Sequence, residues 1–114
     1  MRPLRLSTKA ERDLRIIFSA SEEQFGASAA ARYRRLVSAA LRDLRADASR
    51  VGVESLADGG PRLYHLRHSR QRARRGRGVA RPRHLLAFRI VEGEIVILRV
   101  LHDAMDLPSW LRDI

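Results

Sequence analysis

Four histidines, at positions 65, 68, 84 and 102, are the side chains of this chain that ordinarily change charge near neutral pH. His84 and His102 flank the strongest apolar segment, so they are the candidates for proton transfer. Arg67, Arg89 and Arg99 sit on or beside the same segments and carry guanidinium groups suited to a phosphate or carboxylate. Tyr64 offers a further hydroxyl. A histidine at the end of a strand is more commonly a satisfied structural group than a catalytic one. In a regular strand residues three apart face opposite ways, so Arg99 and His102 join in one site only if the strand ends or bulges between them. His65 and His68 lie near each other, but no cysteine or nearby carboxylate completes a metal-ligand set. Asp103 and Asp106 have no acidic neighbours suited to Mg²⁺ and fit better as partners for arginines. Gly76-x-Gly78 is too short a match for a phosphate-cradling loop, and no convincing helix follows it. No metal and no cofactor are expected.

Charge is distributed unevenly. Residues 62 to 91 contain ten arginines, at 62, 67, 70, 72, 74, 75, 77, 81, 83 and 89, and no acid. The rest of the chain balances thirteen bases against thirteen acids, so the whole net charge of +10 lies in this block. A block of one sign favours an acidic partner, either a nucleic acid or an acidic protein surface. A solvated loop is the plainer reading of the same residues. The 114 residues make one small domain. The chain has no cysteine, which excludes disulfides and thiolate metal sites. No apolar run reaches the roughly 18 residues of a membrane helix, and MRPLRLSTKAERD lacks a secretory signal. A cytoplasmic protein without membrane contact is expected.

The elements that must position these residues read as follows. Residues 3 to 7 form a short strand with Leu4 and Leu6 on one face. Thr8 and Glu11 make a capping box for a helix whose stripe is Ala10, Leu14, Ile17, Phe18, Ser21 and Phe25. Gly26 ends it, and Ser28 caps a second helix with the stripe Ala29, Tyr33, Leu36, Val37, Ala40, Leu41 and Leu44. Two helices of roughly 18 to 20 residues, about 27 to 30 Å long and joined by two or three residues, fold back as a hairpin. Residues 46 to 61 are rich in turn signals, with breakers at Gly52 and Gly59-Gly60-Pro61. A strand follows at Arg62 to Arg67, then a basic loop at 68 to 83, long for a compact domain. Leu85 to Val91 and Ile95 to Leu101 flank Glu92-Gly93-Glu94 as a β-hairpin, central in the fold. The tail from Ala104 to Ile114 packs as a short turn or helix, with Trp110 as a packing residue or an interface anchor. The order is β-α-α-β-β-β: an α+β fold with a helix hairpin packed on a small, mostly antiparallel sheet.

The C-terminal Arg99-Val100-Leu101-His102, with Met105-Asp106 beyond it, resembles the ending of the ParE branch of the ParE/RelE toxin superfamily. The likeness extends over most of the chain. A strand ending in Ser7 leads into Ala10, Asp13-Leu14 and Ile17. Phe25-Gly26, Ala30-x-x-Tyr33-x-x-x-Val37, the strand from Leu63 to Arg67, and Arg81-Pro82-Arg83-His84 follow. The ending is the specific part; the other matches are core patterns. The departure is the loop at 68 to 83, which is longer and more basic than the connection common in the family.

The resemblance implies a RelE/ParE-like fold and the toxin half of a type II toxin–antitoxin pair. It implies a small cognate antitoxin, ParD-like or of another kind, and DNA gyrase as the target, engaged by binding rather than by catalysis. Expected partner-binding residues are Arg67, Arg74, Arg75, Arg89, Arg99, His102 and Trp110. The alternative within the superfamily is a RelE-like endonuclease that cuts mRNA on the ribosome. That reaction needs a base for the ribose 2′-hydroxyl, an acid for the leaving oxygen and cations over the phosphate. Its candidates are His102, Arg89 and Arg67, with His84, Arg99 and Tyr64 in support. A third reading is a basic nucleic-acid-binding module, against which stands the lack of aromatic residues within the arginine block.

Overall fold

A computed structural model describes residues 1–56, 59–71 and 78–111. The elements are β1 (Leu4–Leu6), α1 (Thr8–Phe25), α2 (Ala27–Ala46), β2 (Val53–Ser55), β3 (Arg62–His65), a single 3-10 turn (Leu66–Ser69), β4 (His84–Val91), β5 (Glu94–His102) and α3 (Leu107–Leu111). The strands form one sheet in the order β1-β5-β4-β3-β2. β1 runs parallel to β5, and the other neighbours are antiparallel. The architecture is the expected α+β layout with one strand more than the periodicity suggested. The extra strand, β2, lies in the segment read as turns. It has three residues, of which only Val53 is apolar, so it leaves no alternation to detect.

The helix hairpin is tighter than expected. Gly26 alone connects the two helices, with φ 91° and ψ 170°, a conformation open essentially to glycine. It also serves as the N-cap of α2, so Ser28 falls inside the helix and makes no cap. At the start of α1 the cap is Ser7, one residue before the expected Thr8. The Ser7 hydroxyl accepts from the Ala10 N–H and donates to the Leu98 carbonyl. That second bond ties the cap to β5, which explains why Ser7 is chosen. Phe25, placed in the apolar stripe, is 72% exposed because it lies at the helix end.

β4 and β5 form the centre of the sheet, joined by a two-residue turn. Glu92 and Gly93 both have positive φ, 51° and 82°, as a twisted hairpin turn demands. Glu94, expected in the turn, begins β5. Phe88, Leu86, Ile95, Ile97, Leu36, Leu44 and Tyr64 fill the space between the sheet and the helices. Burying each of the larger apolar side chains contributes roughly 1.5–3 kcal/mol. On the opposite face Leu63, Leu85, Ala87 and Leu101 form a second cluster, against which Leu107 of α3 packs. The expected strand at 62 to 67 ends at His65, and Leu66 turns inward to complete burial. Among the described residues no helix is long and apolar enough to cross a membrane.

The register skips one residue of β5. Ala87 lies across from Arg99 and Phe88 across from Ile97, which leaves Leu98 as a bulge. The bulge precedes Arg99, so the spacing from Arg99 to His102 stays regular. His102 therefore lies with Val100 on the helix-covered face, and Arg99 with Leu101 on the other.

Candidate functional site

Three strands offer chemistry at one end of the sheet. β3 ends at His65, β4 begins at His84 and β5 ends at His102, with His84 directly across from His102. The first turns of the loops, which supply Arg83, Asp103 and Ala104, complete the group. Tyr33 reaches it from α2. The Tyr33 hydroxyl accepts the Arg83 N–H at 3.3 Å and shares a hydrogen bond of 2.6 Å with His84 Nδ1. The His84 ring stands edge-on to Tyr33 and to His102, with centroids 5.5 and 5.2 Å away. Burial, then the neighbouring His102, pushes the His84 imidazole down to about 4. Burial also pushes the Tyr33 phenol up to about 12. His84 is thus neutral at physiological pH.

The other two histidines share one polarity. His65 Nδ1 accepts from the Arg67 N–H at 3.1 Å, and its Nε2–H donates to Asp103 at 3.0 Å. His102 Nδ1 accepts from the Ala104 N–H at 3.0 Å, which in the neutral ring leaves the proton on Nε2. Asp103 also receives the Arg83 guanidinium. Burial pushes the Asp103 carboxyl up, but the His65 and Arg83 interactions together outweigh it and hold the group below the usual carboxylate range. In neutral His65 and His102 the Nδ1 lone pair is already taken by a backbone N–H. A general base needs a lone pair open to the substrate. What the site offers instead is an N–H at His102, whose side chain is 38% exposed, and the cationic side chains around it.

Of the remaining candidates, Arg67 follows His65 at this end of the sheet, whereas Arg89, Arg99 and Tyr64 do not converge on it. Arg89 donates to the Gly59 carbonyl at 2.9 Å. It stands five residues along β4 from His84, about 16 Å at about 3.3 Å per residue. Arg99 makes a two-pronged pair with Asp13 of α1, at 2.8 and 3.0 Å, and lies over the Trp110 ring at 5.0 Å. Hydrogen bonding to Asp13 holds the Arg99 guanidinium above its ordinary value. Asp13 also accepts the Val100 N–H at 2.9 Å, closing the edge of β5 beyond the end of β1. Tyr64 is fully buried, and its hydroxyl bonds Ser69, which in turn donates to the buried Asp43. Arg67 is exposed on the 3-10 turn. His68 packs over Gly52 and beside Tyr64; burial, then Arg67, lowers its pKa. Arg74, Arg75 and Gly76 lie outside the described residues. No cluster able to hold a metal ion occurs among the described residues.

Sequence reasoning missed Tyr33 and Asp13 as polar partners. Tyr33 sits in an apolar stripe and reads as core, though a buried tyrosine hydroxyl needs a partner. Asp13 precedes Leu14 of the α1 stripe, and that position beside the core was the available signal.

A family model described as the ParE toxin of the type II toxin–antitoxin system parDE matches residues 4–107. Among solved structures, the chromosomal ParDE toxin–antitoxin system from P. aeruginosa aligns with a TM-score of 0.66 at 22% identity, over 90% of this chain and 96% of that chain. The RelBE2 toxin–antitoxin complex of Mycobacterium tuberculosis aligns at 25% identity with a TM-score of 0.44, over 89% and 96% of the two chains. No curated protein matches significantly.

Proposed function

This chain belongs to the ParE toxin family of type II toxin–antitoxin systems, and from that premise we propose that it acts by binding DNA gyrase rather than by cutting RNA. The observation that carries the choice is the hydrogen bonding of the imidazoles. His65 and His102 each have the Nδ1 lone pair engaged by a backbone N–H, and His84 Nδ1 is held against the Tyr33 hydroxyl. Of the phosphate-holding candidates, Arg89 is tied to Gly59 at the far end of the hairpin and Arg99 to Asp13, which leaves Arg67 beside the histidines. An RNA-cleaving site would need an open base and a cation at the same phosphate.

A cognate antitoxin, ParD-like or of another small type, is the neutralising partner in this reading. Excess positive charge suits an acidic antitoxin segment. Arg67, His102 and Trp110 are the exposed or half-exposed contacts of the proposed set, with Arg74 and Arg75 assigned from sequence alone. Arg89 and Arg99 are part of it with their guanidinium groups already engaged by Gly59 and Asp13. The experiment is supercoiling by purified gyrase with the chain added. Supercoiling should fall while cut DNA accumulates, and the antitoxin should restore activity. Normal supercoiling at saturating amounts of folded chain would remove gyrase as the target.

A further inference from the structure

Four arginines gather on the two stems that meet at the histidine end of the sheet. Arg67 and Arg70 follow β3, on the 3-10 turn and its C-terminal cap. Arg81 and Arg83 precede β4, and the pair His65↔Leu85 holds the stems together. Asp103 takes Arg83, and Arg70 donates to the Ala80 carbonyl across the base of the loop. Arg67 and Arg81 are exposed, and among the described residues neither side chain has a hydrogen-bond or ion-pair partner.

Both stems are fixed to α2 beforehand. Ser69 is fully buried and donates to Asp43 at 2.7 Å, and Arg50 pairs with the same carboxylate. Tyr33 holds Arg83 and His84 on the other stem. Val79 packs against the main core. Stems fixed this way need no backbone ordering when a partner binds, so only the side-chain freedom of the exposed arginines is lost.

The surface also lacks what other partners need. No large apolar side chain is exposed among the described residues from 62 to 83, so an apolar partner surface finds no anchor there and only a charged partner is served. Residues 66 to 83 contain no Phe, Tyr or Trp, and the one ring there, His68, packs beside Tyr64, so a single strand finds little to stack on. What remains is a set of cations suited to phosphates and silent about base identity. We propose that Arg67, Arg70 and Arg81 form a contact for the phosphate backbone of a nucleic-acid duplex, independent of sequence. The contact stands whether or not gyrase is the target.

The test uses the full chain and fluorescence anisotropy. The probes are labelled duplexes of about 20 base pairs in DNA and in RNA, a matching single strand, and a polyglutamate peptide of similar charge. Duplex affinity should fall steeply with salt, and each phosphate contact adds about 0.9 to the log–log slope for B-form DNA. The double variant Arg67→Ala/Arg81→Ala should therefore lose about tenfold of the DNA-affinity change between about 50 and 200 mM salt. Its melting temperature should match the parent, since both side chains are exposed. Loss of slope on either duplex supports the contact, and the tighter duplex identifies its source. An unchanged slope in a folded variant, tighter binding of the single strand or the peptide, or no duplex binding would overturn it.

Discussion

Acid should destabilise this fold through His84. Its ring is partly buried, bonded by Tyr33 and faced by His102, His65, Asp103 and Arg83. Folded, it titrates near 4; unfolded, it returns to an ordinary value of 6.5. Between those values the unfolded chain binds more protons than the folded one, so stability rises with pH across the window. The contribution is intact above about 6.5 and is lost as the pH falls toward 4. At about 1.4 kcal/mol per tenfold change the full difference is about 3 kcal/mol. The ring is only partly buried, and solvent screening reduces this to about 2 kcal/mol. His68, also lowered by burial and Arg67, adds in the same direction. Asp103 acts in a lower window, because its depressed carboxyl loses its contribution below the ordinary 3.8. The assay is urea unfolding at about pH 7 and about pH 4.5 for the parent and for His84→Gln. Glutamine can still accept from Tyr33 but does not titrate, so the variant should lose about 2 kcal/mol less on acidification. Equal losses in the two proteins would refute a buried neutral His84.

Further predictions concern the ties that hold the site. Asp13→Ala should cost about 2–4 kcal/mol in urea unfolding, because it orphans the Val100 N–H and strips the half-buried Arg99 of its partner. Gly52→Ala should lower the melting temperature through a loss of about 1–3 kcal/mol; φ is +102° there and an added Cβ would lie 2.6 Å from the His68 ring. Trp110→Ala should cost about 1–2 kcal/mol, the worth of a cation–π contact to a half-buried guanidinium, and should raise hydrogen exchange in α3 beside Arg99.

Long apolar runs were readable because they bury whole strands. Leu85 to Val91 and Ile95 to Leu101 announce β4 and β5, and the stripes through Leu14 and Leu36 announce the helices. Short edge elements were not: Val53–Ser55 is a strand only because β3 pairs with it. The choice of Ser7 over Thr8 as a cap depends on Leu98, far away in the chain. His84 and His102 were recognisable as chemical candidates, and the strand register sets them side by side. The engagement of Arg99 was hidden, since Asp13 lies 86 residues away. The distance between Arg89 and His102 became countable only with the hairpin register. Which imidazole nitrogens are engaged depends on Tyr33 and on loop amides, so local pattern carries no trace of it.

The most direct test of a binding toxin is mRNA integrity on translating ribosomes, measured at a dose of the chain that arrests gyrase supercoiling. The account predicts intact transcripts at that dose. Transcripts cut by the wild-type chain and spared by a folded His102→Ala variant would contradict it and make His102 a catalytic residue.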